Sequence, residues 1–150
     1  MLKPILLVED NPKDLELTLL ALAKSNLANE VVTVRDGAEA LDYLFRRGAY
    51  ADRVTGNPSV VLLDLKLPKV DGIQVLEQVK QSAELENLPI VMLTTSREEK
   101  DLVRSYQLGV NAYVVKPVGF KDFLSAIQEL GIFWAVWNEP PPGSVKPQRH

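Results

Sequence analysis

Cysteine is absent from these 150 residues, which excludes disulfides and thiolate metal sites and suits a reducing compartment. Histidine occurs once, at the terminal His150. Positive charge is in deficit, with 17 Lys and Arg against 20 Asp and Glu, a net −3. A general nucleic-acid surface would need the opposite balance. No apolar stretch approaches the length of a membrane span. The first apolar run, Ile5–Val8, is too short for a signal peptide and has Glu9 and Asp10 directly behind it. Low-complexity sequence is lacking up to Pro140-Pro141-Pro142-Gly143. What is present, 46% hydrophobic and 25% charged residues, is the composition of a soluble globular protein. The expectation is one cytoplasmic domain over residues 1–138, with a Pro-rich tail over 139–150.

Short apolar runs alternate with helix-like segments. Strands are expected at Ile5–Val8, Val31–Val34, Val60–Leu65, Ile90–Leu93 and Tyr113–Val115. The first helix opens at Asn11-Pro12, an N-cap with proline behind it, and carries Leu15, Leu19 and Leu22 on one face. The second begins at Asp36, whose spacing to Glu39 is that of a capping box, and carries Leu41, Leu44 and Phe45. The third follows Asp71-Gly72, with Ile73, Leu76 and Val79 inward. The fourth runs from the capping box Ser96–Glu99 to Gly109, and the fifth follows Val118-Gly119. Gly48 to Pro58 reads as the longest loop, with Gly56-Asn57-Pro58 as its turn. Five βα repeats with continuous apolar strands predict an α/β fold: a doubly wound, flavodoxin-like (βα)5 parallel sheet covered on both faces.

In such a sheet functional groups collect beyond the C-terminal strand ends, near the switch in strand order. Those ends carry Glu9 and Asp10, Asp64, Thr94 and Lys116. With strand order 2-1-3-4-5, the first and third strands are neighbours and three carboxylates share a pocket. Like charges that close repel, so an acidic pair ending a hydrophobic strand calls for a cation. An all-oxygen set with room for water and phosphate suits Mg²⁺. Asp64 is then a carboxylate nucleophile of the aspartyl-phosphate type, Lys116 a point charge, and Thr94 a hydroxyl able to turn toward phosphoryl oxygens.

The segments LLVEDNP, VVLLDLKLPKVDG, IVMLTTS and YVVKP, in this order, resemble the receiver domain of two-component response regulators over about residues 3 to 130. The resemblance implies that a sensor histidine kinase phosphorylates Asp64, and that Asp10 is a direct Mg²⁺ ligand. It also implies that Glu9 acts through metal-bound water and that the Lys66 carbonyl completes the metal set. Thr94 would be the switch hydroxyl, Lys116 the phosphate-binding lysine and Tyr113 the aromatic that rotates inward after Thr94. The Lys116-Pro117 peptide would be cis. Lys66, Thr95 and Ser96 would tune the loss of phosphate to water. Such a domain assists its own phosphorylation and dephosphorylation rather than acting as an enzyme on other substrates. The long second loop and the stretch FWAVWNEPPP look like the single-domain regulators paired with cyanobacterial and bacterial phytochromes.

Each residue also has a plainer role available. Asp10 could cap the first helix, Asp64 could begin a turn, Lys116 could be a solvated strand end, and Tyr113 could be edge-strand packing. Other functions fit less well. A phosphatase with an aspartate nucleophile wants a second aspartate as general acid where this chain has Lys66. Glu9 and Asp10 would repel the phosphate of a flavin carrier. A receiver-like scaffold that never takes phosphate is disfavoured by the full set of pocket groups.

The last helix is apolar on every side from Leu130 to Trp137. Either the helix or tail folds back and buries both faces itself, or, as the aromatic content favours and as is expected, Phe133, Trp134, Val136 and Trp137 form a homodimer interface. About thirty residues after Lys116 are too few for a usual DNA-binding module, so the expected output is contact with a downstream protein or phosphate relay to another protein, with no nucleic acid and no membrane.

Overall fold

A computed structural model of the chain describes residues 3–24, 29–54, 56–94, 104–110, 112–115 and 121, with the backbone alone at Lys24, Thr94, Ala112 and Val115. The elements are β1 (Ile5–Val8), α1 (Pro12–Lys24), β2 (Val31–Val34), α2 (Gly37–Phe45), a 3₁₀ turn (Gly48–Tyr50), β3 (Val60–Asp64), α3 (Gly72–Lys80), β4 (Ile90–Thr94) and β5 (Ala112–Val115). All five strands pair in parallel in the order β2-β1-β3-β4-β5, as the sequence predicts.

Alternate residues of the central strands feed two cores, because side chains on a strand point to opposite faces. Leu6, Val8, Val61, Leu63, Ile90 and Met92 pack with Leu41, Leu44, Val75, Leu76 and Val79 of α2 and α3. Ile5, Leu7, Val60, Leu62, Val91, Leu93 and Val114 pack with Ala21 and Leu22 of α1. Burial on both faces is why β1 and β3 read as unbroken apolar runs rather than alternating ones. The edge strand β2 keeps Val31 and Val32 half-buried and Thr33 exposed.

The helices start where the caps are. Asn11 Oδ1 accepts from the backbone N–H of Lys13 (2.9 Å) and Asp14 (3.1 Å) at the head of α1. Asp36 accepts from Glu39 N at 2.7 Å, and Asp71 and Gln74 form a complete capping box on α3. Glu39 does not close its box on Asp36; its carboxylate accepts from Arg35 N instead.

Three expectations need correction. On α1 the buried stripe is Thr18, Ala21 and Leu22 with Leu15 half-buried, while Leu19 stands 36% exposed beside Leu17 and Leu20. The helix is rolled toward Ala21, which leaves position 19 at the rim. The strand ends shift by a residue: β3 stops at Asp64, β4 reaches Thr94 and β5 starts at Ala112. In the long loop the chain turns at Gly48–Asp52 rather than Gly56–Pro58. Beyond that turn, the Arg53 guanidinium lies 4.3 Å over the Tyr43 ring and donates to the Tyr43 and Gly56 carbonyls, which ties Arg53 and Gly56 to α2.

Candidate phosphoryl-acceptor and metal site

Parallel register builds the site. Val8 stands beside Leu63, so the residues after each, Glu9 and Asp64, emerge at the same edge. Carboxylate oxygens of Glu9, Asp10 and Asp64 all lie within 4.8 Å of one another. Glu9 is 1% and Asp64 6% exposed, whereas Asp10 faces solvent. The strand ends hold the acids in place: Glu9 N donates to the Val34 carbonyl at 3.0 Å, and Asn11 N donates to Glu9 Oε2 at 3.3 Å. Lys66 N donates to Asp64 Oδ1 at 3.2 Å. Because Asn11 caps α1, Asp10 is released from the capping role and its carboxylate is left for the pocket.

Two buried acids and a third at the rim repel one another at this spacing. A hard divalent cation offsets that repulsion, and three carboxylate oxygens that converge with one side open fit Mg²⁺, which keeps several of its waters. An open groove of about 610 Å³ runs from Asp10 along Lys66, Leu67 and Pro68 to Asp71 and Ile73, with Asp10 as the one acid of the three on its wall.

Two glycines that sequence reasoning did not single out for the site shape its floor. A Cβ on Gly72 would sit 2.3 Å from the Asp64 carbonyl oxygen and 2.8 Å from Leu65 Cα, so α3 begins against the end of β3. A Cβ on Gly37 would sit 1.7 Å from the Val70 carbonyl oxygen. The sequence signal was only the pair of Asp-Gly steps, which read equally well as helix caps.

The structure brings together Glu9, Asp10 and Asp64 and puts Lys66 beside them. Leu93 lies beside Asp64 in the sheet, and the Thr94 backbone follows it at the end of β4. Tyr113 sits next to Met92 on β5, half-buried and packed against the α2–α3 core. Lys116 and its bond to Pro117, Thr95, Ser96, the start of the fourth helix, the fifth helix, Phe133, Trp134, Val136, Trp137 and the tail lie outside the described residues.

Residues 5–128 match the family described as the response regulator receiver domain. The chain is 42% identical over 137 residues to the probable methanogenesis regulatory protein FilR2 of Methanothrix harundinacea, covering 91% of this chain and 86% of that one. It is 41% identical over 132 residues to the response regulator Rcp1 of Synechocystis sp., covering 88% of each. Among solved structures it is similar to the bacteriophytochrome response regulator RtBRR, at 68% identity and a TM-score of 0.85, covering 96% of this chain and 87% of that one. It is also similar to the Mn²⁺-bound form of Rcp1, at 38% identity and a TM-score of 0.74, covering 97% and 99%.

Proposed function

The chain belongs to the response regulator receiver family, and from that premise we propose that a histidine kinase phosphorylates it on Asp64. Mg²⁺ would be held there by Asp10, Asp64 and the Lys66 carbonyl, with Glu9 acting through metal-bound water. The observation that carries the reading is the convergence of the Glu9, Asp10 and Asp64 carboxylates within 4.8 Å at the ends of two adjacent strands. The Mn²⁺-bound form of Rcp1 supports a divalent ion in a relative of the same fold.

An Asp64 carboxylate oxygen attacks phosphorus in line with the phosphohistidine N–P bond. The O–P bond forms, the N–P bond breaks, and its electron pair returns to the imidazole. Bound Mg²⁺ supplies charge neutralisation for the acids and the transferring phosphoryl oxygens. The chain contributes position and electrostatics. Asp64 is anchored by the Lys66 N–H, Lys116 offers a cation to the phosphoryl group, and Thr94 offers a hydroxyl that turns inward once that group is present. Tyr113 follows it, altering the surface near the fourth and fifth helices that a protein partner reads.

The partner kinase is a phytochrome, a reading that rests on the 68% identity to the bacteriophytochrome response regulator RtBRR. The downstream target is a protein, in the cytoplasm, and the domain spans residues 1–138 with a Pro-rich tail. Asp64→Asn should abolish labelling by acetyl phosphate in Mg²⁺, and transfer from phytochrome kinases should depend on light. Undiminished labelling of Asp64→Asn rejects Asp64 as the acceptor. The apolar stretch with Phe133, Trp134, Val136 and Trp137 forms a C2 homodimer interface. Trp134→Glu should turn a dimer into a monomer in light scattering; a wild-type chain that stays monomeric at high concentration removes the interface.

A further inference from the structure

The acceptor loop between β3 and α3 does not stand alone; it is fastened to the head of α2. Gly37 N donates to the Pro68 carbonyl at 3.4 Å. Asp36, the α2 N-cap, holds Lys69 through a 3.5 Å ion pair, and Lys69 sits in the left-handed backbone region at φ 67. Gly37 has no room for a side chain. A Cβ there would lie 1.7 Å from the Val70 carbonyl oxygen, 2.6 Å from its carbon and 2.9 Å from Val70 Cβ. The first two of these atoms are backbone, so neither can rotate away; the loop or the helix would have to move. The loop is meanwhile closed on itself, since Gly72 N donates to the Leu65 carbonyl and Val70 N to the Pro68 carbonyl, both at 2.8 Å. A push at Val70 is therefore carried back toward Leu65 and Lys66, the residues that follow Asp64.

We propose that Gly37, though it contributes no ligand atom, is a positioning residue for the metal centre: its missing side chain lets the head of α2 seat the acceptor loop so that the Lys66 carbonyl and the Asp64 carboxylate meet the ion together. This rests on the reading of Asp64 as a Mg²⁺-assisted acceptor. Groups that orient metal ligands from behind typically change affinity by about 10- to 100-fold when altered. The ion pair is secondary, because Lys69 is 70% exposed and such pairs contribute little.

The test is calorimetric Mg²⁺ titration of the full chain, with acetyl-phosphate labelling and amide exchange alongside. Gly37→Ala, under conditions where it is folded, should bind Mg²⁺ ~10-fold or more weakly. Its labelling should recover at raised Mg²⁺, and its residue 66 and 72 amides should exchange faster without metal. Leu85→Ala removes a buried core side chain well along the chain from the acceptor loop, and should lose stability but keep wild-type affinity. Lys69→Val strains the loop from its other side and should weaken binding too, whereas Lys69→Gly, which tolerates positive φ, should not. Wild-type Mg²⁺ affinity in folded Gly37→Ala, or in Lys69→Val should Gly37→Ala not fold, overturns the assignment. Absence of Mg²⁺ uptake by the unsubstituted chain instead fails the acceptor reading, and the assignment falls with it.

Discussion

Tyr50 and Glu39 meet across the start of the long loop. The Tyr50 hydroxyl donates to Glu39 Oε2 at 2.9 Å, and its ring meets Tyr43 edge-on at 5.1 Å. Burial, reinforced by the hydrogen bond and charge of Glu39, pushes the Tyr50 phenol up to about 12. A raised phenol means the folded state favours the neutral form. Its contribution to stability is whole below pH 10, the ordinary tyrosine value, and is lost as pH climbs toward 12. Ultraviolet titration should therefore show Tyr50 ionising above the ordinary tyrosine value. Glu39→Gln should bring that ionisation earlier while leaving burial to hold it above the ordinary value. An unchanged curve in Glu39→Gln would remove the carboxylate from the account. This pair was not legible in the sequence, because it depends on a 3₁₀ turn at Gly48–Tyr50 that no local pattern announced. The acids of the site were legible, since each ends an apolar strand. Asn11 was legible as an N-cap before a proline, but Asp10 remained a second capping candidate until the structure gave both cap hydrogen bonds to Asn11.

At the scale of elements, what could be read was whatever hydrophobic patterning decides. Strands buried on both faces announce themselves as apolar runs, and β1 and β2 fall where the sequence puts them. The ends of β3, β4 and β5 shift by one residue because hydrogen bonding, not hydropathy, sets where a ladder stops. The face of α1 was misread for a related reason. Leu15, Leu19 and Leu22 are the obvious heptad-like set, but Thr18 and Ala21 are small enough to let the helix lie close to the sheet, and they take the buried positions. Nor does pattern reveal the seat of α2 on the loop between β3 and α3. Asp36-Gly37 reads as an N-cap followed by a permissive residue, while its tighter requirement, contact with Val70, joins segments more than thirty residues apart.

For the molecule as a whole, parallel register forces an electrostatic cost that the fold must carry until a cation arrives. Strand pairing of Val8 with Leu63 brings the backbones that carry Glu9, Asp10 and Asp64 to one edge, where their carboxylates converge. Stability and metal binding therefore pull in opposite directions at the same residues. Without Mg²⁺, Asp10→Asn relieves repulsion from two buried acids while keeping the shape of the side chain. A gain of about 1 kcal/mol is reasonable after screening by water at this exposed position. For a chain of this size that corresponds to a Tm about 2–4 °C higher. With Mg²⁺ at a hundred times its Kd, the wild-type chain gains about 2.7 kcal/mol by mass action, a gain that Asp10→Asn largely forfeits. The order of the two melting temperatures should thus invert between chelator and saturating Mg²⁺, and calorimetry in the two buffers checks it. If Asp10→Asn melts below wild type in chelator, the three carboxylates are not in mutual conflict. If both chains rise equally with Mg²⁺, Asp10 is not a ligand.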